Sequence, residues 1–366
     1  MDYDRPLFYR VMRYASEAER DTIDMVSGSP DWEAPESLRR GLREYADGDA
    51  DSFQYPPSAG LRELRTEIAE RRNVDRRQVV VTNGTGEANY LGMAAALDRD
   101  RGDEVILTDP VYPYYPGKTD LLGGTTRFVP TERDGQLDPA TVREAASEDT
   151  GLVVVNTPNN PTGAVYPRET MEALVAIAEE YDAMLLADEV YDHFDFSGRF
   201  ESALTIDSPN RIVTSGFSKS LAITGFRVGY VVLPEELVDP ARTRHMLVNV
   251  ATSRPAQAAV LTALRETSPE YYAEVRDLLR DRIETFTDAL DAAGAEYTRP
   301  EGAFYVLARF DDFPGTLSNV ERLIDEAGVA GMPGEAFGSA REDWFRFALV
   351  TPRAAEAADR LADFFD

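Results

Sequence analysis

The segment Ser215–Tyr230, SGFSKSLAITGFRVGY, sets Lys219 among serine, glycine and apolar residues, where no solvated surface would favour a lysine. The chain has one other lysine, Lys118, and the remaining 36 of its 38 basic residues are arginine. A lysine desolvated near other cations can lose its proton, and the neutral amine then forms a Schiff base or acts as a general base; arginine does neither. A sequence that avoids lysine has reason to keep one where that chemistry is needed. Arg227, eight residues on, is a fixed cation suited to a phosphate.

Four further segments carry polar groups. In NGTGEANY (Asn83–Tyr90) glycines lead into a helical pattern, so backbone N–H groups can approach an anion at the positive end of the helix dipole. DPVYPYY (Asp109–Tyr115) carries aromatic rings on a proline-stiffened backbone. Tyr112 is a candidate for stacking on a planar ligand, whereas Tyr114 and Tyr115 read as ordinary half-buried tyrosines. NTPNNPTG (Asn156–Gly163) must turn sharply while presenting amide side chains, and its bonds Thr157–Pro158 and Asn160–Pro161 are candidate cis peptides. In DEVY (Asp188–Tyr191) an aspartate closes an apolar run, which destabilises unless a cation or hydrogen-bond donors meet it. Taken singly, each has a plain structural alternative: a Gly-rich turn, a half-buried tyrosine, a surface turn, an N-cap or ion pair.

The elements that position these segments give them a common place. Short apolar runs at Gln78–Thr82, Glu104–Thr108, Thr125–Val129, Leu152–Asn156, Met184–Ala187, Arg211–Ser215 and Gly229–Leu233 alternate with helical patterns such as Glu87–Leu97 and Pro167–Tyr181. That alternation predicts an α/β fold, with a mostly parallel seven-stranded sheet between helices. Open sheets of this kind bind ligands beyond the carboxyl ends of their strands, and the five segments fall there. After about Val250 the pattern changes to acidic amphipathic helices around Ala256–Ala293, the strand-like GAFYVLARF and WFRFALV, a helix near Leu317–Ala327 and a terminal helix. This predicts a smaller α+β domain. The expected division is a large domain over residues 41–250 and a small one formed by residues 1–40 and 251–366.

Composition narrows the function classes. Without cysteine there is no disulfide, thiolate nucleophile or Cys-ligated metal, and His193 and His245 alone make no multi-histidine site, so no metal is expected. A net charge of −28 disfavours nucleic acid and anionic membranes as partners. The basic cluster Arg71–Arg77 follows a helical pattern and reads as cations at a helix C-terminus. No apolar stretch approaches the roughly 18 residues of a membrane span, and MDYDRPLFYR does not read as a leader, so a cytoplasmic location is expected. Acidity combined with arginine in place of lysine resembles a halophilic, salt-adapted proteome.

NNPTG, DEVY and SKSLAITGFRVGY, in this order and spacing, resemble the class I/II pyridoxal-phosphate-dependent aminotransferases of the aspartate aminotransferase fold type, over nearly the whole chain. The resemblance implies pyridoxal 5'-phosphate as cofactor, with Lys219 carrying it as a Schiff base and moving the proton between the substrate α-carbon and the cofactor. Asp188 would pair with the pyridine nitrogen, Asn160 and Tyr191 with the 3' oxygen, and Tyr112 would stack on the ring. The backbone around Thr85 and Gly86, with Arg227, would hold the phosphate. Tyr55 would reach the phosphate of a neighbouring subunit's cofactor, implying a homodimer with shared sites. Gly28, Arg346 and Asn160 would bind substrate, the first two at its α-carboxylate. Many relatives have a serine three residues before the lysine, where this chain has Gly216; Ser215 or Ser218 is then expected to supply the hydroxyl.

The implied reaction moves an amino group between an L-amino acid and a 2-oxo acid, of the aspartate/2-oxoglutarate type as a first assignment. A pyridoxal-phosphate lyase or decarboxylase would use the same lysine and aspartate and is the nearest alternative. A nucleotide-binding oxidoreductase is disfavoured because NGTGEANY is not G-x-G-x-x-G and no carboxylate ends a following strand about 20 residues later. A non-enzymatic sensor of the same fold is a further alternative, though no DNA-binding module accompanies it.

Overall fold

The computed structural model describes residues 7–365; the parts of the expected small domain at residues 1–6 and 366 lie outside the described residues. Seven strands lie side by side in the order Val79–Thr82, Gly229–Val232, Arg211–Gly216, Met184–Asp188, Thr150–Asn156, Glu104–Asp109, Thr125–Pro130. Each corresponds to one of the seven expected runs, and the chain has the α/β fold. Neighbours are parallel except where Gly229–Val232 runs antiparallel to the strands on both its sides.

Alternation along each strand explains the continuous apolar runs. Val153 and Val155 face one core with Leu185 and Val213, while Leu152 and Val154 face the other with Leu186 and Ile212. A strand covered on both faces has no solvated side on which polar residues would be favoured. The reversed strand matters for the site, because its amino end lies at the same rim as the carboxyl ends of the others, with Gly229 opposite Gly216. Arg227 is thereby delivered to that rim.

A third core contains the helix Leu7–Glu17 through Val11 and the strand Ile23–Asp24, which pairs in parallel with Val329–Ala330. A four-stranded sheet ordered Met332–Pro333, Phe345–Ala348, Tyr305–Arg309, Glu296–Tyr297 completes this part, with all its pairs antiparallel. The helix Leu317–Ala327 shows how sharply the sequence can define an element. Thr316 Oγ1 accepts from Asn319 N at its start, and Gly328 ends it in the left-handed conformation.

Packing departs from the expected division at both boundaries. The helix Arg254–Glu266 buries Ala259 and Val260 in the same core as Val79 and Val81 of the large sheet, and the helix Glu36–Ala46, which spans the boundary at residue 40, sends Leu38 there too. Amphipathic periodicity says which face of a helix is buried, not which core buries it.

Candidate active site

At the rim where the strand ends converge lies a cavity of about 470 Å³, and both lysines of the chain line it, with Asp188, Arg227 and Arg346. Asp188 ends the strand Met184–Asp188 and is buried. Its Oδ2 accepts from Asn89 Nδ2 at 2.7 Å and from the Tyr115 hydroxyl at 2.6 Å, and its Oδ1 accepts from Val190 N at 3.1 Å. Asn89 is fixed in turn by Thr214, whose hydroxyl donates to Asn89 Oδ1 at 2.5 Å. Burial pushes the Asp188 carboxyl up, and the hydrogen bonds oppose this without cancelling it.

Lys219 donates to the Gly28 carbonyl at 2.6 Å. Burial, with Arg346 and Arg227 adding repulsion, lowers its ammonium to about 8. Burial likewise lowers Lys118 to about 8. Arg346 lies between Phe345 and Phe347 on its strand; the two rings enter the small core while the guanidinium lines the cavity, as alternation along a strand requires. The guanidinium is buried 4.6 Å from the centre of the Tyr305 ring, and it donates to the Val26 carbonyl and, at 3.5 Å, to Asn160 Oδ1. Its Nε has no partner and, among the described residues, no carboxylate pairs with it.

The Asn- and Pro-rich turn is built around its own amides. Asn156 Oδ1 accepts from Asn160 N at 2.8 Å while Asn156 Nδ2 donates to the Asp188 carbonyl at 2.9 Å, tying the turn to the neighbouring strand end. Thr157–Pro158 and Asn160–Pro161 are both cis, as is Asp109–Pro110. Tyr191 is buried and its hydroxyl lies 3.0 Å from that of Tyr305. Tyr112 forms part of the wall, edge-on to Tyr114 and Tyr115.

On the opposite side, the helix Thr85–Leu97 begins at Gly84 with no side-chain cap, leaving its first N–H groups free. Gly84 has φ +77°, and a Cβ there would meet the Arg227 guanidinium at 2.5 Å. Arg227, itself left-handed at φ +54°, donates to the carbonyls of Thr224 at 3.0 Å and Asn83 at 3.3 Å and faces Ser218 Oγ at 3.5 Å. Thr85 Oγ1 is buried and without a partner. A Cβ built on Gly216 would fall 2.5 Å from that oxygen.

This geometry revises the expectation about the missing serine. Ser215 Oγ donates to the Glu189 carbonyl at 3.2 Å and lines a separate pocket, so it does not face the cavity. Ser218 does face it, and Thr85 Oγ1 occupies the space a side chain at position 216 would need. The cavity brings together Gly28, Thr85, Gly86, Tyr112, Asn160, Asp188, Tyr191, Ser218, Lys219, Arg227 and Arg346. Tyr55 stands apart, 83% exposed.

Among the wall residues that sequence reasoning missed are Asn89, Tyr115, Lys118 and Tyr305. Asn89 lies one turn beyond Thr85 and therefore on the same helix face, a signal the segment contained. Tyr115 is 1% exposed rather than half-buried, and it touches Asp188. Tyr305 comes from the distant small sheet. The basic cluster is structural in its best-buried member: Arg72 pairs with Glu189 and Asp192.

Sheet, rim cavity and a lysine sharing that cavity with a buried aspartate define an α/β enzyme of the aspartate aminotransferase fold type. Residues 20–363 match the family of class I and II aminotransferases. The chain is 35% identical over 363 residues to a probable aspartate/prephenate aminotransferase of Thermus aquaticus, covering 95% of this chain and 93% of the relative. It is 34% identical over 359 residues to an aspartate aminotransferase of Thermotoga maritima, covering 94% and 92%. The solved structure of an aspartate aminotransferase from Thermus thermophilus with maleate superposes with a TM-score of 0.92 at 33% identity, covering 98% of this chain and 97% of that one. The chain belongs to the class I and II aminotransferases, and it is a pyridoxal-phosphate-dependent enzyme that uses amino-acid and 2-oxo-acid substrates.

Proposed function

We propose that the rim cavity binds pyridoxal phosphate through Lys219 and transfers amino groups between dicarboxylic amino acids and 2-oxo acids, aspartate and 2-oxoglutarate being the first pair to test. The observation that carries this reading is the cavity itself, which a depressed lysine amine, a buried carboxylate and a buried guanidinium free of carboxylate partners line together. Similarity to enzymes named for aspartate supports the substrate class.

The residues fit the cofactor. Free N–H groups at the start of the helix Thr85–Leu97, the unpartnered Thr85 hydroxyl and Arg227 suit a phosphate. Asp188, buried without a cation in contact, suits the protonated ring nitrogen. Bound pyridoxal phosphate supplies an electron sink for the pair released from the substrate Cα–H bond. Asp188 holds the proton on the ring nitrogen and so keeps that sink effective. Asn160 and Tyr191 would hold the 3' oxygen, Tyr112 would cover the ring, and Ser218 would take a supporting place beside Arg227. Lys219 would hold the cofactor and, as a free amine, would take the proton from the substrate Cα. Arg346 grips the substrate α-carboxylate beside Gly28, fixing the direction of the Cα–H bond.

The same reading makes the enzyme a cytoplasmic homodimer. Tyr55 lies on a segment held by Arg254, which donates to the carbonyls of Asp51 and Gln54, and the exposed apolar run Leu247, Val248, Val250 leads into the helix that Arg254 begins. A partner would cover that run and receive Tyr55. The chain then divides into a large cofactor module that includes the helix Arg254–Glu266 and a small module of the remaining C-terminal part with the N-terminal segment. The net charge of −28 supports adaptation to high salt. A panel of amino donors against 2-oxoglutarate, oxaloacetate and pyruvate tests the reaction. Aspartate and glutamate should lead, whereas release of carbon dioxide or ammonia without an acceptor would make the enzyme a lyase.

A further inference from the structure

Lys118 is unexplained by the chemistry above. It projects from the helix Tyr114–Leu121 into the same cavity as Lys219, in a chain that otherwise uses arginine for its cations. Its ammonium makes one weak contact, to the Tyr114 carbonyl at 3.5 Å, and lies 5.7 Å and 5.8 Å from the ring centres of Tyr114 and Tyr115. Among the described residues no carboxylate pairs with it, although the chain carries 66 acidic residues. A partly desolvated ammonium against aromatic faces, with Asp188 acting on it only across the cavity and no carboxylate in ion-pair contact, is a site with room for an anion.

Charge balance in the cavity indicates which anion is missing. Four cations line it, Lys118, Lys219, Arg227 and Arg346, against the single carboxylate Asp188. On the reading above, Arg227 faces the cofactor phosphate, Arg346 the substrate α-carboxylate, and Lys219 bonds the cofactor. One cation remains. There is also room: a Cβ at Gly86, which lines the same cavity, would meet nothing within 4 Å.

We infer that Lys118 binds a second anionic group of the bound ligands, and that this group is the distal carboxylate of a dicarboxylic substrate. The inference rests on the aminotransferase reading and adds to it the residue that selects acidic substrates. The cofactor phosphate is the other source of the same chemistry, and the test separates the two.

Unreactive acids serve as probes of the holoenzyme. Succinate and propionate differ by one carboxylate, and their binding is read from the change in cofactor absorbance. Wild-type enzyme should prefer succinate. Lys118→Met, which keeps the apolar stem, should weaken succinate by about tenfold or more while leaving propionate within about twofold, because one charged hydrogen bond is lost. Lys118→Arg should recover a substantial part of the succinate affinity. Cofactor affinity, measured by fluorescence on reconstitution of each variant, should match wild type. Equal loss for both acids, or no loss for succinate, overturns the assignment. A weakened cofactor with succinate preference intact also overturns it and gives Lys118 to the phosphate. If the wild type itself shows no preference for succinate, the inference falls while the aminotransferase reading, scored separately by donor turnover, stands.

Discussion

The Tyr115 hydroxyl donates to Asp188 Oδ2 across 2.6 Å, and both side chains are buried at the end of the same cavity. With Asn89 on the same oxygen, Tyr115 holds the carboxylate in one orientation and favours its charged form against burial. Tyr115→Phe removes a hydrogen bond to a charged group, worth about 1.5–3 kcal/mol, so turnover should fall roughly ten- to a hundredfold. The cofactor should still bind, and the pH titration of its absorbance should shift. An unchanged titration together with normal turnover would make Tyr115 a packing residue only.

Gly216 and Thr85 form a second pair that acts jointly. A serine at position 216 would place its Cβ 2.5 Å from Thr85 Oγ1. Gly216→Ser should therefore weaken cofactor binding, and Thr85→Ala should weaken it by about three- to tenfold through loss of one hydroxyl. The double variant should bind better than the product of the two single effects predicts, because the new hydroxyl gains the vacated space. Reconstitution titrations of the three variants measure this coupling; strict additivity would remove it.

Arg346→Lys keeps the charge but not the forked donor. kcat/KM should drop about ten- to a hundredfold for every amino donor, whatever its side chain, since the α-carboxylate is common to all. Cofactor content and melting temperature should remain near those of the wild type. A loss of stability with kcat/KM preserved per loaded site would make Arg346 structural.

The depressed Lys219 has a direct kinetic consequence. An exposed lysine stays protonated to a pH of about 10.4, whereas Lys219 is held at about 8 by burial and by Arg346 and Arg227. Only the neutral amine attacks a carbonyl, so capture of pyridoxal phosphate by the apoenzyme should accelerate as pH rises and level off above about 8. Arg346→Met removes one source of repulsion and should move that midpoint upward. Stopped-flow uptake profiles decide the point, and a rate still climbing towards a pH of about 10 in the wild type would mean an unperturbed amine.

Much of this was legible in the sequence because the signals were local. A buried strand announces itself by a continuous apolar run, and rim segments by the Gly, Pro and Asn that follow it, so the seven strands and the rim segments could be read from spacing, while Gly28 and the roles of Asn160 and Tyr191 came with the family resemblance. Arg346 was legible as a charge on an otherwise aromatic strand. What could not be read depended on three-dimensional pairing. Thr85 fills the space beside Gly216 although 131 positions separate them, and Tyr115 looked ordinary until the strand ending in Asp188 was laid beside it. The helix Arg254–Glu266 packs on the large sheet although it follows the change of pattern at Val250, for a related reason: its apolar stripe carries no address.

Attachment of the cofactor to Lys219 has a nearly binary test, because the chain holds one other lysine, Lys118. Reduction of the holoenzyme with borohydride, followed by peptide mapping, should place the pyridoxyl label on Lys219 and leave Lys118 unmodified. A label on Lys118, or a fully loaded enzyme with no label on either lysine, would contradict the account.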